Sequence, residues 1–321
     1  MSLSVTSPAQ TSELPIDLAG KCPPRPNFFQ CQNRIHSLSD QLLSIESLNQ
    51  RIEDLGHQFQ APKPRVWKSI QWQNISTGQI LGVDAHLYCK ILAKSAEIEL
   101  PSRGYSITSR AYLGAFHPPM ARFMGGIRGP QGQLAESGVW EKEEQTHGPI
   151  LRKLYKLLMG EEPDLNPTSL WGYHPQGDLE QDAYNHMIFR MTHEYMAVAG
   201  YIMLLALSTG ELQQTLHQIT RDEVSHCAKF FGFIRWQFGD SFFSQFYGMV
   251  RHTVRLTLHH TQERNMFRDF GVWNGDIVKM YLLYEWSKLI ALQKLWSWSR
   301  QLDTSYLNTS LGNEGFISPA K

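Results

Sequence analysis

The chain has 321 residues, with 30 basic and 30 acidic side chains, a formal net charge of +0 and a pI near 7.2. That balance excludes a chain-wide electrostatic footprint for nucleic acid or for an anionic membrane, so any charged partner must be met by a local patch. Hydrophobic residues make up 42% and aromatic ones 12%, ample for a core, while Cys22, Cys31, Cys89 and Cys227 lie too far apart for a C-x-x-C zinc site or a disulfide framework.

Residues 1–30 hold no apolar targeting segment and read as a flexible arm, neither a secretory signal nor an Arg-rich transit peptide. The expected location is therefore a bacterial cytoplasm, with the plastid stroma as the alternative. The longest apolar stretch, Tyr195 to Ser208, falls about six residues short of the roughly 20 needed to span a bilayer, so no membrane span is expected.

Ile35, Leu38, Leu42, Ile45, Ile52, Leu55 and Phe59 recur at helical steps, predicting one amphipathic helix that ends before Pro62. A second helix is predicted over Val83 to Leu100. From Arg103 to Ser137 three prolines and six glycines predict a long irregular connection. A third helix should run from Val139 to Met159, kinked at Pro149 and capped by Gly160. The fourth is predicted over Asp182 to Ser208 and the fifth over Glu211 to Phe238, stopped by Gly239. Two aromatic-rich helices follow, Ser241 to His260 and Asp276 to Arg300, then a polar flexible tail over residues 303–321. No alternation predicts a strand and no solenoid period is present. The expectation is a single all-α domain over residues 31–302, with Phe230, Phe231, Phe233, Trp296 and Trp298 as core or dimer-interface residues.

The chemistry lies in the spacing of glutamate and histidine. Glu144-Gln-Thr-His147 and Glu223-Val-Ser-His226 both read Glu-x-x-His inside predicted helices, where positions i and i+3 leave the same face and can reach one metal ion. Glu194 is the one carboxylate between Asp182 and Glu211, followed by the apolar run YMAVAGYIMLLALS. Buried there it needs a partner, either a metal cation or Arg190 four residues earlier. The predicted second helix adds Glu97 and Glu99. Periodicity leaves both open, with a slight preference for Glu99, which shares a face with Tyr88, Leu92 and Ala96. The order Glu, Glu-x-x-His, Glu, Glu-x-x-His on four helices is the ligand set of a di-iron carboxylate bundle with a ferritin-like four-helix core, here with additional flanking helices. Six N/O ligands favour an octahedral dinuclear iron or manganese centre over tetrahedral zinc.

Three runs carry a family resemblance: Glu97-Ile-Glu-Leu-Pro101, Glu143-Glu144-Gln-Thr-His147-Gly148 and Asp222-Glu223-Val-Ser-His226. Over about residues 80–235 the sequence resembles the soluble acyl-carrier-protein desaturases. The resemblance implies two irons, with Glu144 and Glu223 bridging and Glu97, Glu194, His147 and His226 terminal. It gives Asp222 the catalytic-site role of an acid that orients a ligand histidine. It further implies dioxygen as co-substrate, electrons from ferredoxin or a similar donor, an acyl-carrier protein bearing the fatty acyl chain as partner, and a homodimer. Two departures bear on substrate and oxygen activation. Ala197 stands where that family has a threonine, and the interval from Glu97 to Glu144 is longer.

Neighbouring families fit less well. The ribonucleotide reductase small subunit needs a tyrosine where this chain has Leu151, aryl-amine N-oxygenases add a histidine where Ile219 stands, and haem-oxygenase-like di-iron enzymes lack the paired motifs. Ferritins are shorter, so iron storage is the main non-enzymatic alternative. Arg103, Arg110, Arg122 and Arg128 against Glu136 mark the Arg103 to Ser137 connection as the candidate docking segment for an acidic carrier.

Overall fold

A computed structural model describes residues 25–131, 133–166, 175–239, 241–259 and 274–311, and these are mainly helical. The first helix, α1 (Phe28–Leu42), starts inside the expected arm. Asn27 accepts a hydrogen bond from Gln30 N while the Gln30 side chain caps Asn27 N, a reciprocal box that fixes the start; residues 1–24 lie outside the described residues. The apolar stripe predicted as one helix is two. Ser44 accepts from Ser47 N and so opens α2 (Ile45–Gln60), while the buried Leu43 keeps the stripe continuous across the break.

Asp84 caps α3 (Ala85–Glu99) by accepting from Leu87 N. The stretch expected to be irregular then folds as α4 (Ser102–Leu113), α5 (Pro118–Gly125) and an antiparallel pair, β1 (Ile127–Arg128) with β2 (Leu134–Glu136). Its prolines and glycines punctuate elements instead of dissolving them. Pro118 and Pro119 sit in the first turn of α5, where no intrahelical N–H is needed, and Gly126 takes a φ of +72° between α5 and the hairpin. The strands were not foreseen because two or three residues are too few to show alternation.

Four long helices follow the predicted bounds closely. These are α6 (Val139–Met159), which continues through Pro149 to Gly160 at φ +76°, α7 (Leu179–Ala206), α8 (Gly210–Phe238) and, later, α10 (Gly275–Ser299), with α9 (Phe242–His259) before it. Inside the expected tail, α11 (Thr304–Leu311) packs on α2 through the buried Leu307 and Leu311; residues 312–321 lie outside the described residues.

The two most extensive helix pairs are α7 with α8 and α3 with α6. Between α7 and α8 only Leu207 to Thr209 intervene, so the pair is an antiparallel hairpin. Arg34 of α1 closes that corner, donating from Nε to Ala206 O and from Nη2 to Ser208 O, each at 2.7 Å, and so satisfies carbonyls at the end of α7. Helices α1, α9 and α10 cover α7, and α2 covers α8. Hydrogen bonds from Ser287 Oγ to Ala199 O and from Tyr195 Oη to Lys288 O pin α10 to α7. Phe230, Phe231, Phe233 and Trp298 are core residues, while Trp296 is exposed. Among the described residues no helix is long and apolar enough to cross a membrane.

Candidate metal centre

Each of the four helices in the two main pairs contributes to one buried cluster. Glu99 comes from the last turn of α3, Glu144 and His147 from α6, Glu194 from α7, and Glu223 and His226 from α8. Their ligand atoms form two groups, each with all atoms within 4.8 Å of one another: Glu99, Glu144, His147 and Glu223, and Glu144, Glu194, Glu223 and His226. Glu144 and Glu223 belong to both.

The two Glu-x-x-His motifs cross over. His147 Nδ1 lies 2.9 Å from Glu223 Oε1, and His226 Nδ1 lies 2.9 Å from Glu144 Oε1, so each imidazole meets the glutamate of the other motif first. Within its own motif each histidine stands 4.0 Å from the glutamate. Glu194 Oε2 is 3.4 Å from His226 Nδ1, and Glu99 Oε2 is 4.0 Å from His147 Nδ1.

The far side of each imidazole is held by an acid, again in a crossed arrangement. His226 Nε2 is 2.9 Å from Glu143 Oε2, and His147 Nε2 is 3.3 Å from Asp222 Oδ2. The residue before each motif glutamate therefore orients the histidine of the opposite motif and leaves Nδ1 for the cluster. Asp222 also accepts from Arg65 Nε at 2.5 Å and Trp67 Nε1 at 2.8 Å, and Glu143 Oε1 accepts from Arg65 N at 2.7 Å. Two more hydrogen bonds fix the outer carboxylates. Tyr201 Oη donates to Glu99 Oε1 at 2.9 Å and Trp140 Nε1 donates to Glu194 Oε1 at 3.1 Å.

Glu97, chosen from the family resemblance, is not part of this group. Its Oε2 takes Lys94 Nζ at 2.6 Å and its Oε1 takes Asn166 N at 3.0 Å. The reason is helical register. Tyr88, Leu92 and Ala96 are buried on the inner face of α3, and Glu99 shares that face whereas Glu97 is turned roughly 200° away. Glu144, His147, Glu194, Glu223 and His226 are brought together, and Asp222 stands behind His147. Arg190 does not replace a cation at Glu194. Its buried guanidinium lies over the rings of Tyr105, Phe189 and Trp140 at 4.5, 5.2 and 5.7 Å, and its Nε and Nη2 make no hydrogen bond.

The electrostatics follow from the crowding of four carboxylates out of water. Burial, then the neighbouring carboxylates, push Glu99 and Glu223 well above the ordinary carboxylate range. Burial also opposes the charge on Glu144, but His226 and His147 hold it down at about 2. For His147 and His226 burial works against protonation, yet the surrounding carboxylates raise both, led by Asp222 for the former and Glu143 for the latter. Four glutamates crowded out of water thus favour positive charge among them. Glu144 Oε1, Glu223 Oε1, His147 Nδ1 and His226 Nδ1 meet one another only as ion pairs, at 2.9 Å, and none of the four buried atoms makes a hydrogen bond. A cation satisfies them together, which hydrogen bonding does not, so the donor set could hold a metal ion.

Glu143 stood in a quoted motif without a role of its own, and the donors Arg65, Trp67, Trp140 and Tyr201 were not singled out from the sequence. One signal for Glu143 was available, since an acid precedes the glutamate in both motifs, Glu143-Glu144 and Asp222-Glu223. The others come from distant segments with no shared spacing. Cys227, next to His226, is buried, and burial followed by Glu194 and Glu223 pushes its thiol up, so it stays protonated and packs. No protein-family model, curated protein or solved structure matches the chain.

Proposed function

We propose that the protein is a di-iron, dioxygen-dependent oxidoreductase of the ferritin-like class, acting on a fatty acyl chain bound to an acyl-carrier protein as the desaturases it resembles do. The observation that carries this reading is the pair of overlapping four-residue groups that share Glu144 and Glu223. Two cations would be held with those carboxylates between them, Glu99 and His147 at one end and Glu194 and His226 at the other.

Iron bound there supplies the redox chemistry by which dioxygen, two electrons from a ferredoxin-type donor and two protons remove two hydrogens from adjacent carbons, giving an alkene and two waters. The chain's own residues set the conditions. Glu143 and Asp222 hold the imidazoles with Nδ1 inward, Tyr201 and Trp140 restrain Glu99 and Glu194, and burial of all six ligands keeps bulk water away. Ala197, one turn beyond Glu194, offers no hydroxyl, so proton supply must come from elsewhere. A cytoplasmic location suits a reduced donor and a carrier-borne substrate. In a homodimer, the exposed Val278, Leu282 and Leu289 of α10 are among the apolar side chains that could be covered.

The test combines metal analysis with product mass. Iron-loaded protein, ferredoxin, its reductase and a panel of acyl-carrier-protein thioesters should yield an acyl chain lighter by about two daltons. A gain of about sixteen daltons would assign hydroxylation instead. Protein that takes up no iron, or keeps it after Glu144→Ala and Glu223→Ala together, sinks the proposal.

A further inference from the structure

Beside the metal ligands a polar seam runs through the interior between α4 and α7. On α7, His186, Arg190 and Glu194 follow one another at steps of four and share a face. On α4, Ser102, Tyr105 and Ser109 share the face that meets them. His186 Nε2 lies 2.9 Å from Ser109 Oγ and the Arg190 guanidinium lies over the Tyr105 ring at 4.5 Å, so the two helices cross with their chain directions opposed. The start of α4, three residues after Glu99, is thereby turned toward the Glu194 end of the seam.

Arg190 is only 3% exposed. The faces of Tyr105, Phe189 and Trp140 attract its charge but offer no oxygen to its N–H groups. Burial lowers the guanidinium from the ordinary arginine range, and Tyr105, Glu194 and Glu144 oppose that without forming an ion pair with it. Its Nε and Nη2 are both buried with no hydrogen-bond partner. These two atoms are the donors of one edge of the guanidinium, the fork that takes two oxygens side by side. Arg34 shows that edge in use, donating from Nε and Nη2 to two carbonyls at 2.7 Å each. The seam holds a second orphan, since Ser102 is 1% exposed and its buried Oγ has no hydrogen-bond partner. A charged fork left unmade out of water is costly, and an acceptor with two oxygens offsets that cost.

The surroundings narrow the acceptor. One guanidinium edge matches one negative charge on two coplanar oxygens, which is a carboxylate and not a phosphate dianion. The flat apolar walls suit a carbon chain or ring attached to it. Tyr105 and Phe189 are half-buried, which puts the approach on their side, whereas Trp140 is buried and donates from Nε1 to Glu194 Oε1. Trp140 therefore stands between the guanidinium and the metal ligands, and Arg190 precedes Glu194 by about 6 Å along α7.

We propose that Arg190 anchors the carboxylate of an organic acid whose apolar body lies against Tyr105, Phe189 and Trp140, at the edge of the metal centre. The assignment rests on the proposed function for the reaction and adds a substrate class: the carbon chain carries a free carboxylate besides any link to a carrier.

Calorimetric titration of the full chain with hexanoate, hexanamide, acetate and inorganic phosphate tests it. Hexanoate should bind at least tenfold more tightly than hexanamide, which turns one of the two oxygens into a donor, and more tightly than acetate or phosphate. In Arg190→Gln the preference for acid over amide should vanish. Arg190→Lys keeps the charge and carries the test where the glutamine variant is unstable; it should retain binding yet lose about tenfold of that preference, because an ammonium lacks the fork. Absent hexanoate binding, equal binding of acid and amide, or a preference that survives both substitutions overturns the proposal, as does binding that follows iron content instead of Arg190. Iron uptake and acyl oxidation, measured on the same preparations, separate the two readings. Hexanoate bound through Arg190 by protein that takes up no iron would remove the proposed reaction and keep the anchor. Oxidation of carrier-bound chains that is indifferent both to a free carboxylate at their far end and to Arg190 would remove the anchor and keep the reaction.

Discussion

His147 and His226 occupy equivalent places, each with Nδ1 turned into the cluster and Nε2 against the acid that precedes the other motif's glutamate. What lies behind those acids differs. Asp222 takes the Arg65 guanidinium and the Trp67 indole, and Arg65 is 24% exposed, so the His147 half connects to the surface through charged and aromatic side chains. Glu143 takes only the Arg65 backbone amide besides its histidine. One extended segment thus serves both halves, with a side chain on one side and main chain on the other. Although burial opposes its charge, Asp222 is pulled well below the usual carboxylate range by His147 and Arg65, whereas on the opposite side a neutral N–H does the holding. A repeated motif fixes the inner contacts, and the surroundings make the halves unequal.

The largest expected effect comes from removing what the halves share. Glu144→Ala or Glu223→Ala deletes a carboxylate common to both ligand groups, so metal content measured by plasma mass spectrometry should fall to near zero in either variant. Retention of one full equivalent would mean that the two groups bind independently.

Next in size is the loosening of one half at a time. Asp222→Asn and Glu143→Gln each replace an acid that orients a histidine, and each should weaken metal binding roughly 10- to 100-fold in a chelator competition. Asp222→Asn should cost more, since it also strips Arg65 of its ion pair, and it should lower the thermal midpoint of the metal-free protein where Glu143→Gln does not. Equal losses in both readouts would erase the asymmetry drawn above.

How much of this was legible follows from which contacts are local. The long helices α6, α7 and α8 were readable because apolar period, caps and stop glycines agree along the chain. The pairing of Glu144 with His147 and of Glu223 with His226 was readable for the same reason, a spacing of three within one helix. The crossing of His147 to Glu223 and of His226 to Glu144 was not, because it depends on how α6 meets α8. Likewise α4, α5 and the hairpin were missed where proline and glycine were taken as breakers, although Pro118 begins a helix and Gly126 makes a turn. The break at Ser44 was hidden because Leu42, Leu43 and Ile45 keep the apolar rhythm across it.

A smaller effect contrasts the site with histidines outside it. Burial lowers His117 to about 4 and, followed by Arg190, lowers His193 to about 4. His117 also accepts Met120 N at Nδ1 and so caps α5, which protonation of that nitrogen would undo. A depressed folded-state value means that the unfolded chain binds the proton more readily. The stability these rings contribute is therefore present above the unfolded value near 6.5 and lost as pH falls toward about 4. His147 and His226, raised in the metal-free protein, act with the opposite sign: their contribution is present below about 6.5 and lost as pH rises through their raised values. Replacing His117 by Asn, which can cap but not titrate, should flatten the acid limb of a urea-stability profile by on the order of 1 kcal/mol at pH 5. An unchanged profile would show that His117 takes up its proton equally in the folded and unfolded states.

The smallest effect is expected at the residue the family resemblance singled out. Both Glu97 oxygens are engaged away from the cluster, one by Lys94 and one by the Asn166 amide. Lys94 is 28% and Glu97 16% exposed, and partly exposed pairs of this kind contribute under about 1 kcal/mol. Glu97→Ala should therefore keep its full metal content and lose at most that much stability, while Glu99→Ala should lose metal on the His147 side and leave Glu194 and His226 in place. Exchanging the two glutamates would require α3 to rotate by about 200°, which would bring Tyr88, Leu92 and Ala96 to solvent. Leu92 alone would then forfeit roughly 1.5–3 kcal/mol of burial, more than an exposed ion pair returns. If Glu97→Ala emptied the centre and Glu99→Ala did not, the register of α3, and with it the division of the site into two halves, would have to be redrawn.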